Sequence, residues 1–244
     1  MPELPPDLLG TLRGAGRVVA LTGSGISAES GVPTFREAQT GLWERFDPLE
    51  LATPEAFARD PRLVWDWYEW RRGLVERAEP NPGHLALAQL ERRLPAFTLI
   101  TQNVDGLHQK AGSENVTELH GNILRSRCSL EATVVEDYAP GEAPPPCPNC
   151  GAPLRPDVVW FGEALPTEVS RVASEAAGAC DLFLSVGTSS LVYPAAALPF
   201  EALENGARLV EINPNETPLT PYAAYVLRGE AGKILPALVG AAFV

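Results

Sequence analysis

The sequence predicts an α/β fold, a parallel sheet with helices on both faces, carrying a smaller module built from two insertions. Short runs of β-branched and apolar residues recur along the chain, each ends at glycine or small polar residues, and helical patterns lie between several of them. The runs are apolar throughout rather than alternating, as strands buried on both faces are in parallel sheets. With 244 residues, 45% hydrophobic and 20% charged, the chain can bury a sizeable core, which excludes intrinsic disorder.

The first strand is Arg17-Val-Val-Ala-Leu-Thr22, and Gly23-Ser24-Gly25-Ile26-Ser27-Ala28 turns it into a helix. Further strands are expected at 96–101, 116–120, 181–186 and 208–212. Two stretches interrupt this alternation: 46–82, rich in Trp and Arg at helical spacing, and 122–156, rich in Pro and Cys. The expected organisation is therefore one domain from 1–45, 83–121 and 157–244, with a helical insertion over 46–82 and a second, ribbon-like insertion over 122–156. No internal repeat is visible.

Formal charge is −12, the only lysines are Lys110 and Lys233, and the arginines are scattered. Such a surface repels phosphate, so neither general nucleic-acid binding nor an anionic membrane partner is expected. The uncharged stretch 182–200 is long enough to span a bilayer, but Gly187, Thr188, Pro194 and Pro199 argue against a membrane helix. The opening residues carry Glu3, Asp7 and prolines where a secretory signal needs a basic and then an apolar region, so a cytoplasmic chain is expected. Its four cysteines then read as reduced thiols or metal ligands.

The loop after the first strand fits G-x-G-x-x-A, in which glycines let backbone amides approach a pyrophosphate at a helix N-terminus. A tight turn without ligand gives the same pattern. The acidic residue that an ordinary dinucleotide fold needs about 20 residues on falls in 41–47, which does not read as a strand, so a hydride-transferring dehydrogenase is disfavoured.

The longer stretch Thr22-Gly-Ser-Gly-Ile-Ser-Ala-Glu-Ser-Gly-Val-Pro-Thr-Phe-Arg36 resembles the nucleotide-binding signature of the sirtuins, NAD-dependent protein lysine deacylases, with Ser24 where most members have alanine. Thr101-Gln-Asn-Val-Asp105, Glu118-Leu-His-Gly121, Val159-Trp-Phe-Gly-Glu163, Gly187-Thr-Ser189 and Ile212-Asn213 resemble the family's remaining motifs, in order along nearly the whole chain. The resemblance implies a Rossmann-like domain that uses NAD as a co-substrate: the acyl oxygen of a modified lysine attacks the nicotinamide ribose, nicotinamide leaves, and free lysine and acyl-ADP-ribose result. It makes His120 the general base, with Asn103 and Asp105 orienting nicotinamide and its ribose and Gln102 touching the ribose. Gly23, Ser24, Gly25, Ser27, Phe35 and Arg36 would line the cofactor, Gly187, Thr188, Ser189 and Asn213 its phosphates and adenosine ribose, and Asn215 and Ala231 would complete that end. Val159, Trp160, Phe161 and Gly162 would offer a strand edge to acylated-lysine proteins or peptides.

Read as residues alone, these positions have plainer uses. Asn103 and Asp105 suit helix caps, Gly-Thr-Ser and Asn-Pro-Asn suit turns, and the 159–163 segment suits a core. Of the three histidines, His84 and His108 sit at or within helices, where capping or packing accounts for them, whereas His120 ends a strand at the sheet edge where ligands bind.

Tyr68 and Arg71 are spaced i, i+3 within Val64–Arg72, on one helix face. They resemble the Tyr-x-x-Arg feature of the desuccinylase and demalonylase class of sirtuins, because a guanidinium grips a carboxylate while a phenol donates to it. Succinyl, malonyl or glutaryl lysine fits, besides acetyl. The alternative is a solvated basic face, for which Arg72 has Glu69 and Glu76 at helical spacing, whereas the i±3 and i±4 neighbours of Arg71 are Tyr68, Leu74, Trp67 and Val75.

Sirtuins show two Cys-x-x-Cys pairs that hold structural zinc. Here Cys128-Ser-Leu-Glu131 precedes Cys147-Pro-Asn-Cys150, so Glu131 stands where a cysteine ligand would, and zinc-bound and metal-free modules both remain open. Cys180 begins an apolar strand and reads as a core residue. The other functions weighed are plain deacetylation, mono-ADP-ribosyl transfer and a non-catalytic NAD or ADP-ribose sensor.

Overall fold

The computed structural model describes residues 4–32, 47–138 and 141–243. The strands β1 (Val18–Thr22), β2 (Phe97–Thr101), β3 (Val116–Glu118), β7 (Leu182–Val186), β8 (Arg208–Ile212) and β9 (Tyr225–Leu227) form one parallel sheet in the order β3-β2-β1-β7-β8-β9. Strands β4 (Gly121–Cys128), β5 (Val134–Val135) and β6 (Leu154–Val158) form a second, antiparallel sheet in the order β5-β4-β6.

The helices are α1 (Pro6–Gly14), α2 (Ser24–Ala28), α3 (Pro48–Leu51), α4 (Pro54–Arg59), α5 (Pro61–Arg77), α6 (Pro82–Arg93), α7 (Leu107–Lys110), α8 (Thr167–Ala179), α9 (Leu198–Glu204) and α10 (Ala231–Ala242). Every residue of β1 is buried. Its Val18 and Ala20 join Leu8 and Leu12 of α1, Leu87 and Leu90 of α6, and Leu235 and Leu238 of α10. Val19 and Leu21 join Ala173 and Ala177 of α8 and Leu198 and Ala202 of α9 on the opposite face. This two-sided burial gives the first strand its unbroken apolar run, and the core is a Rossmann-like sheet with helices on both faces.

The structure corrects several sequence expectations. The strand expected over 116–120 stops at Glu118, which leaves His120 in a turn between the sheets. Edge strand β9 has only three residues, too few for a periodic signal. The 159–163 segment lies beyond β6 in a turn rather than a strand, and its amides are committed within the chain: Val159 N–H to His120 O, Trp160 N–H to Glu163 Oε2 and Phe161 N–H to Ala52 O. Arg72 pairs with Glu69, as its spacing suggests, but is buried and donates to Ile123 O at 2.8 Å, which removes the solvated-face alternative for this residue.

Helix α5 packs against the second sheet. Val64, Trp67 and Tyr68 share a cluster with Ile123 of β4, Val158 of β6, Leu107 and Trp160. Trp65 packs with Cys128, Cys147 and Leu154. No helix among the described residues is long and apolar enough to cross a membrane.

Candidate active site

The C-terminal ends of β1, β2, β7 and β8 bring the glycine loop and the later motifs together, the edge at which parallel α/β sheets bind ligands. Gly25 N–H donates to Gly187 O at 2.8 Å and Gly23 N–H to Val186 O at 3.1 Å. A Cβ on Gly25 would stand 2.7 Å from Gly187 O, and one on Gly187, at φ +58°, would stand 2.5 Å from Ile26 N. These glycines let two backbone turns touch, a local requirement that holds before any ligand is considered.

Around them, Gln102 Nε2 donates to Thr188 Oγ1 at 3.0 Å and Asn213 Nδ2 to Thr188 O at 2.8 Å, while Asn213 Oδ1 accepts from Asn215 N–H at 3.1 Å. Ser24 and Ser189 are exposed at this edge. Ala231 opens α10, whose Gly232 N–H donates to Glu29 at the end of α2. Phe35 and Arg36 lie outside the described residues.

Beneath the loop lies a buried polar network. Asn103 Nδ2 donates to Gly23 O at 3.1 Å and to Ser27 Oγ at 2.9 Å, and Ser27 Oγ–H donates to Asp105 Oδ2 at 2.7 Å. Asp105 Oδ1 also accepts from Leu107 N–H at 3.0 Å, so the capping use and the site use coincide in one side chain. Burial pushes the Asp105 carboxyl upward, against the hydrogen bonds from Leu107 and Ser27 that lower it.

His84 and His108, set aside on sequence grounds, belong to this network. His84 Nδ1 accepts from Asn81 N–H, so its Nε2 carries the proton and faces Ser27 Oγ at 3.4 Å. Thr22 donates its hydroxyl proton to Thr101 at 2.8 Å, so His108 Nε2–H donates to Thr22 Oγ1 at 2.9 Å. Burial lowers these imidazoles to about 4 for His84 and about 3 for His108, leaving both neutral. The capping box Asn81-Pro-Gly-His84 is the signal that could have flagged His84. The pairing with Ser27, far away in the chain, has no local trace.

His120 is arranged differently. Its Nδ1 lies 2.9 Å from Gln102 O. A carbonyl can only accept, so Nδ1 carries the proton and Nε2 keeps a free lone pair. Burial lowers the imidazole's pKa from 6.5, opposed by the Gln102 bond. A neutral, oriented imidazole at the ligand edge is a competent general base.

Tyr68, on α5, shares its apolar cluster with Val104 and Leu107, and Arg71 follows one turn later on the same helix. Tyr68 is 4% exposed, accepts from Trp160 Nε1–H at 3.0 Å, and is pushed by burial up to about 12, with Arg71 opposing. Burial pulls the Arg71 guanidinium below its ordinary value, and the guanidinium lies 5.1 Å from the Trp67 ring.

In the second sheet, one ligand atom from each of Cys128, Glu131, Cys147 and Cys150 lies within 4.8 Å of the others. Three sulfurs and a carboxylate at that spacing fit a tetrahedral zinc site, with Zn–S near ~2.3 Å. Cys180 stands apart, buried, its thiol donating to Ala177 O.

An edge of this build defines a nucleotide-binding α/β enzyme, and comparison with known proteins gives the family. The Sir2 family model matches residues 23–194, and the chain belongs to the Sir2 family. An NAD-dependent protein deacylase of Methylococcus capsulatus is 51% identical over 248 residues, covering 98% of this chain and 97% of that protein. A Sir2 homologue solved with NAD is 48% identical, with a TM-score of 0.93 over 99% of this chain and 94% of that one. A Sir2 protein solved with a deacetylated p53 peptide and 3′-O-acetyl ADP-ribose is 31% identical, with a TM-score of 0.86 over 96% of this chain and 97% of that one. The activity is that of an NAD-dependent protein deacylase, and NAD is its co-substrate.

Proposed function

We propose that the enzyme deacylates protein lysines with His120 as general base, and that Tyr68 and Arg71 extend its range from acetyl to succinyl, malonyl and glutaryl groups. The observation that carries the first part is the His120–Gln102 hydrogen bond, which leaves Nε2 unprotonated with its lone pair available. Bound NAD supplies the electrophilic ribose carbon exposed as nicotinamide leaves. The chain's share is to hold Asn103 and Asp105 against that ribose and amide, to seat the phosphates and adenosine along Gly23, Gly25, Gly187, Thr188 and Asn213, and to take a ribose hydroxyl proton on His120 Nε2. Ser24, Ser27, Gln102, Ser189, Asn215 and Ala231 belong to the same cofactor lining, and for Phe35 and Arg36 that role rests on the resemblance of their motif alone. At Val159–Gly162, recognition of the peptide falls to carbonyls and Gly162, because the amides of Val159, Trp160 and Phe161 already have partners.

The acidic-acyl part rests on Tyr68, in an apolar cluster, and Arg71, one turn on along the same helix, where a carboxylate would replace its lost hydration with a charge-assisted bond from the guanidinium and one from the phenol. The second reading is predominant deacetylation, supported by the relative solved with a deacetylated peptide. Nicotinamide release on matched acetyl-, succinyl- and glutaryl-lysine peptides, with His120→Tyr as control, separates them. Release on the acidic peptides that falls about tenfold or more in Arg71→Met, against a smaller change on acetyl, supports the pair. Equal losses on all peptides would leave deacetylation as the function.

We further propose a structural zinc on Cys128, Glu131, Cys147 and Cys150, completing a zinc-ribbon-like module. Zinc ligation needs Cys128, Cys147 and Cys150 reduced, the state that the cytoplasm maintains, and we place the protein there.

A further inference from the structure

We infer that Trp160 is a positioning residue for acyl specificity: its indole N–H fixes the direction in which the Tyr68 hydroxyl can donate. The inference rests on the acidic-acyl reading above. Indole is a donor only, so at 3.0 Å the Tyr68 oxygen must accept, and the phenol's own proton is turned away from Trp160. A carboxylate drawn in by Arg71 then meets a phenol already oriented to donate. Tyr68 stays neutral throughout, since burial holds it near pKa 12.

The indole in turn is held on several sides. The Arg155 guanidinium carbon lies 3.3 Å from the Trp160 ring centroid, and Phe57 packs at 5.3 Å. Glu163 takes Arg155 through both oxygens, at 2.6 and 2.9 Å, and also accepts from Trp160 N–H at 2.8 Å. Arg155, Glu163 and Trp160 thus lock one another, and the free end of that lock is the N–H aimed at Tyr68. A tryptophan needed only for bulk would not require its ring nitrogen.

The test is a double-mutant cycle of Trp160→Phe and Tyr68→Phe, with kcat and KM measured on succinyl- and acetyl-lysine peptides. Trp160→Phe keeps an aromatic ring for Arg155 and removes the N–H. We expect it to raise the KM for the succinyl peptide relative to that for acetyl by about tenfold, one charge-assisted hydrogen bond. The double variant should lose no more than Tyr68→Phe alone, because both act through one hydroxyl. Additive losses, or equal changes on both peptides, would overturn the inference. If Trp160→Phe does not fold, benzothienylalanine at position 160 keeps the bicyclic shape without the donor and carries the same expectations. Should Tyr68→Phe and Arg71→Met leave the succinyl-to-acetyl ratio unchanged, the acidic-acyl reading itself fails and the inference with it. Should they lower it while the position-160 variants do not, the positioning role alone is lost.

Discussion

His120 differs from His84 and His108 in its surroundings, and pH separates the three. Burial lowers His120 from 6.5, so the imidazole remains a free base below the usual histidine range. We expect the acid limb of kcat/KM on an acyl peptide to fall below pH 6.5, and His120→Asn to cost about 100-fold or more in nicotinamide-coupled deacylation. An acid limb above that value would contradict the burial argument. His84 and His108 act on stability instead. Unfolded histidines take protons near 6.5, whereas the folded ones wait until about 4 and about 3, so the unfolded state binds more protons in that window and stability falls as pH drops through it. The raised Asp105 carboxyl has the opposite sign and offsets part of the loss. Tm measured from pH ~7 to ~4.5 should decline, and less steeply in His108→Gln. An unchanged slope in that variant would remove His108 from the account.

Among the elements, the turns after β1 and β7 are the least tolerant. Gly187→Ala would place a Cβ against Ile26 N at a left-handed φ, and should cost about 2–3 kcal/mol in urea denaturation, by overpacking and backbone strain together. A cost under about 1 kcal/mol would mean that the turns can separate. Helix α5 packs Trp65, Tyr68 and Arg72 against the second sheet, and carries Arg71 one turn on from Tyr68. Its i, i+3 spacing was legible in the sequence because helical faces follow from local geometry. The Trp160–Tyr68 bond was not, since it joins residues 92 apart. Central strands were legible for a similar reason: burial on both faces leaves an unbroken apolar run. Strands β4 and β6 carry Arg125, Arg127 and Arg155, whose charges are met by Glu118, Asp157 and Glu163 only after folding, so their segments read as irregular insertion.

At the scale of the molecule, the second sheet is small, and the proposed zinc site lies at its end, on Cys128 of β4 and the loops that carry Glu131, Cys147 and Cys150. Purified protein should hold about one zinc per chain, and a strong chelator should lower the thermal transition while the parallel sheet keeps its far-ultraviolet signature. Glu131→Cys should tighten metal retention, as thiolate replaces carboxylate. Metal-free protein isolated without chelator, with an unchanged transition on adding zinc, would exclude the site.

The passage of the chain from one sheet to the other at His120–Gly121 has a further bearing on motion. His120 Nδ1 is tied to Gln102 at the end of β2, while its carbonyl holds Val159 beyond β6. Gly121, at φ +80°, brings the backbone so close to Asp157 that an added Cβ would stand 2.1 Å from its carbonyl oxygen. His120 is therefore tied to both sheets at once, at the point where the chain crosses between them. If the second sheet moves against the first, displacement grows with distance from this crossing. The imidazole and Val159, both tied to this crossing, would then keep nearly constant company.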